Sequence, residues 1–389
     1  MSPEDEARAL EAEREVGRIN AFFPILPKLG NRWATTRPWE GMTVGLNLHL
    51  TSLTAALIRE LALGGGTFVV SGASPATTHA ATVAMLRNEG FEVYTGRGRD
   101  DRFAQVLDHQ PDLLVDVGFE LVSALLDRRP EQATQLQGAV EITRSGIRRL
   151  RQRTHPLPFP VLNINDGRLK NAVENRHGVG EALWQAVARL TGMHLAGRRV
   201  AVLGYGPVGK GLAMYARASG MAVEVVEPDP VRRLFAHYDG FITPRLTSAL
   251  ERAGVVVTAT GSAGVLGLPE LQHAQDGVVL VNAGHGGDEI DVQAIHDATE
   301  RADHIGEGVI RYRLESGMSV TLLGEGHPLN IVTNAGSPEP VLLHFAVLGL
   351  ALERLVRHDF EPGESIVSRE TESEAASFAL EALQPSSQT

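Results

Sequence analysis

Residues 200–229 read "VAVLGYGPVGKGLAMYARASGMAVEVVEPD": an apolar run, a glycine turn, a helix-period stretch and a second apolar run. That order is a strand, a turn, a helix and a strand, and such a unit demands a parallel sheet with helices on it. Gly204 allows the tight turn, Gly206 lets the backbone approach a pyrophosphate, and Gly209 lets helix and strand pack closely, with Pro207 and Val208 inside the turn. Free N–H groups and the helix dipole both favour an anion at that helix start. Glu227 ends the second strand about 20 residues on, where a carboxylate accepts from a ribose 2'-hydroxyl, so NAD is expected rather than NADP. Arg232 stands beside it on the cofactor side, but the acid at the strand tip would repel a 2'-phosphate. A glycine turn that binds nothing is the competing reading, and the complete strand–turn–helix–strand context weighs against it.

The same rhythm occurs earlier. Residues 38 to 140 alternate "MTVGLNLHL", "TFVVSG", "FEVYTG" and "DLLVDVG" with helical stretches, and a second series runs from "RRVAVLGYG" through "VVVTATG" and "GVVLVNAGHGG" to about residue 336. The fold class is therefore α/β with two domains, a substrate-binding α/β domain interrupted by an inserted Rossmann domain. Helical "HFAVLGLALERLVRH" follows the second series and is expected to return to the first domain. Expected boundaries are 1–185 and 338–362 for the first domain and 190–337 for the second, with 363–389 a polar, acidic, flexible tail.

Composition narrows the function. A formal charge of -11 argues against affinity built on nucleic-acid phosphates or anionic lipid heads, so a small-molecule substrate is expected. With 0 cysteines, thiolate nucleophiles and Cys-based zinc sites are excluded. The 14 histidines show no metal-binding spacing, so no metal is expected. The acidic, helix-period start lacks the pattern of a secretory signal, and a cytoplasmic location is expected. The apolar window from Pro340 carries His344 and Glu353 and reads as a buried helix.

Lysine is scarce: only Lys28, Lys170 and Lys210 among 36 basic residues. Lys170 and Glu174 in "NINDGRLKNAVENRHG" are spaced i, i+4, which on an α-helix puts them on one face with Asn175 at its edge. A surface ion pair is the ordinary meaning of that spacing. Arginine would serve an ion pair equally well and cannot be deprotonated, so a site that insists on lysine points to an amine acting as a base.

These stretches together resemble a known family. "VLNINDGRLKNAVENRHGVGEAL", "GRRVAVLGYGPVGKG", "VEPDP", "VTATGS", "VNAGHGGDEIDV" and "LLGEGHPLNIVTNAGSPEPVL", with "PWEGMTVGLNLHLT" and "VDVGFEL" upstream, resemble S-adenosylhomocysteine hydrolase over about residues 36 to 357. The resemblance implies a recycled NAD that oxidises a ribose 3'-hydroxyl to a ketone. This acidifies the C4' proton, the 5' substituent is eliminated, water adds, and the ketone is reduced again. It implies Lys170 as the base for the 3'-hydroxyl, Glu174 in place of the family aspartate, Asn175 orienting them, His49 near C5' and His285 by the hinge and sugar. It further implies cofactor contacts from Thr143, Ser145, Thr260, Asn282 and Asn330, and a homo-oligomer, tetramer or dimer.

Departures from the family pattern gather at the substrate. Asp116 and Val117 stand where the family has two aspartates, the second its catalytic acid. Ile142 replaces a ribose-holding glutamate, Leu53, two after Thr51, replaces the acid that reads the adenine edge, and Ser337 replaces a histidine. Each such swap forfeits a hydrogen bond of the usual ligand, about 1–3 kcal/mol apiece. The family's C-terminal Lys…Tyr segment has no counterpart, so weaker NAD retention is expected. The preferred expectation is an enzyme that runs oxidation, elimination and reduction on a different nucleoside, for example losing water from a 5'-hydroxyl to give a 4',5'-unsaturated product. An ordinary adenosylhomocysteinase is the first alternative, a catalytically inactive NAD-binding regulatory protein the second, and a net 2-hydroxy-acid-type dehydrogenase the third.

Overall fold

Short Val- and Leu-rich runs become strands, and the strands fall into two sheets. A computed structural model describes residues 3–96, 98–284, 288–333, 335 and 337–383. Strands of the first series are β1 (Thr43–Leu48), β2 (Thr67–Gly72), β3 (Glu92–Tyr94), β4 (Leu113–Asp116), β5 (Gly138–Glu141) and β6 (Pro160–Asn163). Those of the second are β7 (Arg199–Leu203), β8 (Ala222–Val226), β9 (Val255–Thr258), β10 (Val278–Asn282), β11 (Thr299–Gly306), β12 (Val309–Leu314) and β13 (Ser319–Pro328), and a last strand, β14 (Gly363–Ile366), follows.

The chain divides into two compact units, Met1–Lys170 with Pro338–Thr389, and Asn171–Ser337. In the first, seven parallel strands run β14-β6-β5-β4-β1-β2-β3, so consecutive connections reverse direction between β1 and β4. Side chains alternate across this sheet. Leu46, Leu113, Val115, Val140 and Leu162 pack on one face beneath the helices Ile25–Thr36, Ser52–Ala62 and Pro338–Arg357, while Val69, Leu114, Ala139 and Val161 meet Phe103, Leu121 and Phe159 on the other.

Residues 363–383, expected as a flexible tail, are ordered instead. β14 pairs in parallel with β6, and Arg369–Leu383 is a helix whose Thr371, Glu372 and Ala375 are buried and whose Phe378, Ala379 and Ala382 pack on the core. The stripe at i, i+3, i+4, i+7 is alanine apart from Phe378 and is easily outweighed by the surrounding acids when read from sequence. Those acids have partners: Glu374 pairs with Arg32 and Arg354, and Glu370 with Arg354. Residues 384–389 lie outside the described residues.

In the second unit β8-β7-β9-β10-β13 are parallel and β12 and β11 continue the sheet antiparallel, with the reversal between β7 and β9. The unit begins at Asn171, earlier than expected, because the helix Val179–Thr191 packs on the helix Pro207–Ala218. A Cβ on Gly180 would sit 2.7 Å from the Gly211 carbonyl carbon, a contact only glycine allows.

Candidate functional site

In an open parallel sheet, ligands bind beyond the carboxyl ends of the strands, beside the reversal point. The first unit sends its candidate residues to that edge: His49, Thr51 and Leu53 follow β1, Asp116 and Val117 end β4, Ile142, Thr143 and Ser145 follow β5, and Lys170 follows β6. β1 and β4 are direct neighbours, which is why residues remote in sequence come side by side: Leu46 is opposite Val115 in the register.

Local hydrogen bonds fix this edge. His49 Nδ1 lies 2.6 Å from Thr77 Oγ1, and Thr54 Oγ1 accepts from the Thr51 N–H at 2.9 Å and donates to the His49 carbonyl at 2.7 Å. Asp116 turns inward: Oδ1 accepts from Asn47 Nδ2 at 2.8 Å and Oδ2 from the Val122 N–H at 2.9 Å. Beside it Glu141, 1 % exposed, gathers the loop after β4 through Gly118 N–H at 3.1 Å and Phe119 N–H at 2.7 Å, and also takes the Thr143 hydroxyl at 2.6 Å. Phe119 is held at φ +56°, a left-handed conformation that those bonds help impose. Burial raises both carboxyls, and the negative Asp116 beside Glu141 raises the latter further. Val117 and Ile142 are buried, Leu53 is half-buried against the core, and Ser145 Oγ lies 3.2 Å from Thr143 Oγ1.

Lys170 is half-buried, and loss of hydration lowers its ammonium to about 7. His344, 3 % exposed on the helix Pro338–Arg357, has neither ring nitrogen hydrogen-bonded among the described residues, and burial together with the charge of Lys170 keeps it well below the usual histidine range. The segment Lys170–Gly178 is a π-helix, not the α-helix expected. Its turns close through i→i+5 bonds, so the i, i+4 argument that placed Lys170 and Glu174 on one face does not hold there. Glu174 and Asn175 are half-buried in the second unit.

That unit carries the glycine turn. Gly204 sits at φ +101° with no room for a Cβ, which would lie 2.6 Å from the Ala259 carbonyl oxygen, and a Cβ on Gly209 would lie 2.1 Å from the Gly204 carbonyl oxygen. Gly206 precedes the helix Pro207–Ala218, no side chain caps it, and Pro207 and Val208 form its first turn, leaving backbone N–H groups for an anion. Glu227 accepts from the Tyr205 N–H at 2.7 Å and the Asp229 N–H at 3.0 Å, which fixes its carboxylate beside the turn with lone pairs to spare for sugar hydroxyls. Arg232 is half-buried two positions into the next helix, where its N–H bonds Asp229 Oδ1 at 2.9 Å. This cradle fits a dinucleotide.

Thr260 follows β9 and Asn282 ends β10. Thr260 is bound through N–H and hydroxyl to Glu289, both at 2.9 Å, and Asn282 Oδ1 accepts from the Gly284 N–H at 2.7 Å. Asn330 is half-buried in the short helix Leu329–Val332, and Ser337 immediately precedes the helix Pro338–Arg357. His285 lies outside the described residues. No cluster of three metal-ligating side chains occurs among the described residues.

Asn47, Glu141, Glu289 and His344 escaped the sequence reading. A charged or amide residue closing an otherwise apolar strand was the available signal for Asn47 and Glu141, and "GDEID" for Glu289. His344 carried a signal too, a histidine inside the apolar window from Pro340, but no role beyond the buried helix was legible for it.

Comparison with known proteins fits this geometry. A family model described as "S-adenosyl-L-homocysteine hydrolase, NAD binding domain" matches residues 175–336. S-inosyl-L-homocysteine hydrolase of Methanopyrus kandleri is 35% identical across 93% of this chain and 88% of its own. Adenosylhomocysteinase of Thermotoga maritima is 32% identical across 95% and 94%. Among solved structures, a dipicolinate synthase chain of Bacillus halodurans shares the fold at a TM-score of 0.53 and 14% identity, over 82% of this chain and 100% of that one. The chain is therefore a member of the S-adenosyl-L-homocysteine hydrolase family, with NAD as its cofactor.

Proposed function

We propose that this protein hydrolyses the 5'-thioether of a nucleosyl-homocysteine, with the inosyl form preferred to the adenosyl form. The observation that carries the reading is Lys170 at the sheet edge with its ammonium lowered to about 7. An ordinary lysine is neutral in on the order of one molecule in a thousand at pH 7, whereas lowering to about 7 makes the neutral amine a substantial population. NAD, when bound, supplies a hydride acceptor that is used and restored within each turnover. Lys170 takes the proton of the 3'-hydroxyl as the sugar is oxidised and returns it at the end. The transient ketone makes the C4' proton acidic, and His49, oriented by Thr77, would take that proton and pass it to the sulfur as the C5'–S bond breaks. Water then adds across C4' and C5'. Thr143 and Ser145 would line the cofactor side, with Glu227, Thr260, Asn282 and Asn330 holding NAD, and Glu174, Asn175 and His285 completing the redox centre.

Leu53 cannot accept a hydrogen bond from an exocyclic amine, and Ser337 is too short to replace an imidazole. The missing acid at Leu53 removes a partner that an exocyclic amine would use and a carbonyl would not, and the Methanopyrus kandleri relative bears the inosyl name. The test is homocysteine thiol release from S-inosyl- and S-adenosylhomocysteine. A higher kcat/KM for the inosyl substrate is expected, and the reverse order would overturn the preference.

A second reading, elimination of water to give a 4',5'-unsaturated nucleoside, draws on Val117 and Ile142, both buried and apolar where an acid and a ribose ligand would stand. An unsaturated product from a free 5'-hydroxyl nucleoside, with no thiol released from either thioether, would favour it. The relatives' names favour hydrolysis. A location in the cytoplasm and a homo-oligomeric state accompany the proposal.

A further inference from the structure

The ordered C-terminal helix reaches the segment that delivers Lys170. Glu372 is 3 % exposed. Its Oε1 accepts from the Leu169 N–H at 2.8 Å, and its Oε2 from Arg168 Nε at 2.9 Å. Arg168 and Leu169 begin the helical segment that continues into the π-helix, so the Leu169 N–H is one of the donors a helix start leaves without an internal partner. The carboxylate therefore caps that helix one residue before the catalytic lysine, and its ion pair with Arg168 adds a charge-assisted bond from the same side chain. Side-chain packing against the glycine tightens the same point: a Cβ on Gly167 would lie 3.0 Å from Glu372 Oε1 and 3.0 Å from Val367 Cγ1.

We propose that Glu372 is a positioning residue that sets how deeply Lys170 is held, so that the last strand and helix of the chain serve the reaction. The proposal rests on the reading of Lys170 as the base. Neighbouring acids of the same helix do a different job. Glu374 pairs with Arg32 and Arg354 and fastens the helix to the core. Glu370 pairs with Arg354. Both are tied to arginines other than Arg168, which makes Glu374 an internal control for the mere attachment of the helix.

The readout uses the scarcity of lysine. With three lysines in the chain, trace acetylation across the neutral to alkaline range followed by peptide mapping follows Lys170 against Lys28 and Lys210 without any substrate. In the unaltered protein Lys170 is expected to label with a midpoint near 7. In Glu372→Leu the midpoint rises by about one unit or more as the amine regains water, and kcat falls about tenfold while KM changes less than about twofold. Glu372→Gln keeps an oxygen for the Leu169 N–H and should retain most of kcat. Glu374→Gln should lower the melting temperature and leave the Lys170 midpoint in place. If Glu372→Leu does not fold, Glu372→Asp, one methylene shorter, gives the same test with a smaller shift. The proposal is overturned if Glu372→Leu, or Glu372→Asp in its place, leaves both midpoint and kcat unchanged, or if Glu374→Gln moves them equally. Labelling of Lys170 at an ordinary lysine pH in the unaltered protein would remove the reading of Lys170 as a base, and this inference with it.

Discussion

An ordinary lysine and an arginine carry the same charge at neutral pH, but only the lysine can give up its proton, and that is the property the proposed reaction uses at Lys170. Lys170→Arg keeps a cation and removes the base, so kcat should fall on the order of a thousandfold, while NAD content, read by absorbance after denaturation, stays level. The pH profile has a definite sign. The neutral amine is the active form, so kcat rises with pH through about 7. His344 leads to a stability prediction. Burial lowers its folded-state pKa below the unfolded value near 6.5, so the unfolded chain binds the proton first. Stability is then lost as pH falls below about 6.5, until the lower folded-state pKa is reached. Asp116 and Glu141, raised in the fold, push the other way as pH rises above the ordinary carboxyl range. A comparison isolates the histidine: His344→Leu should unfold less steeply than the parent below pH 6.5 in denaturant titrations, and equal slopes would refute the assignment.

At the level of elements, the glycine turn before the helix Pro207–Ala218 is the least forgiving place. Gly209→Ala puts a methyl 2.1 Å from a backbone oxygen that has no side-chain freedom to yield. A cost of about 1–3 kcal/mol and at least a tenfold loss of NAD affinity by calorimetric titration are expected. This element was legible because its rule is local: glycines at fixed offsets between an apolar run and a helix. The π-helix from Lys170 was not legible, since i, i+4 and i, i+5 readings use the same letters and tertiary packing chooses between them. The final helix was missed for a related reason. Its buried stripe is alanine-rich, and the arginines that neutralise its acids, Arg32, Arg168 and Arg354, are remote in sequence. The positions a motif fixes, Gly204 in the turn and Glu227 at the strand end, could be named in advance. Contacts created by folding, such as those of Glu141 and Glu372, could not.

On the scale of the whole molecule, each unit has its own buried clusters, Leu46 with Phe345 and Leu348 in the first and Val202 with Leu212 and Leu323 in the second. Calorimetric unfolding is therefore expected to depart from two-state form, and NAD should raise chiefly the transition of Asn171–Ser337. At a hundredfold excess over Kd that gain is about 2.7 kcal/mol. A single transition shifted as one body would contradict this. One further consequence follows from β14 lying against β6 although 199 residues separate Asn163 from the start of its partner at Gly363. On the ribosome, the inserted NAD unit emerges whole and can finish folding while the first unit's sheet still has an open edge. That edge is covered only once residues 363–366 have been made, so a nascent chain stalled before residue 363 would present β6 to any strand that could pair with it.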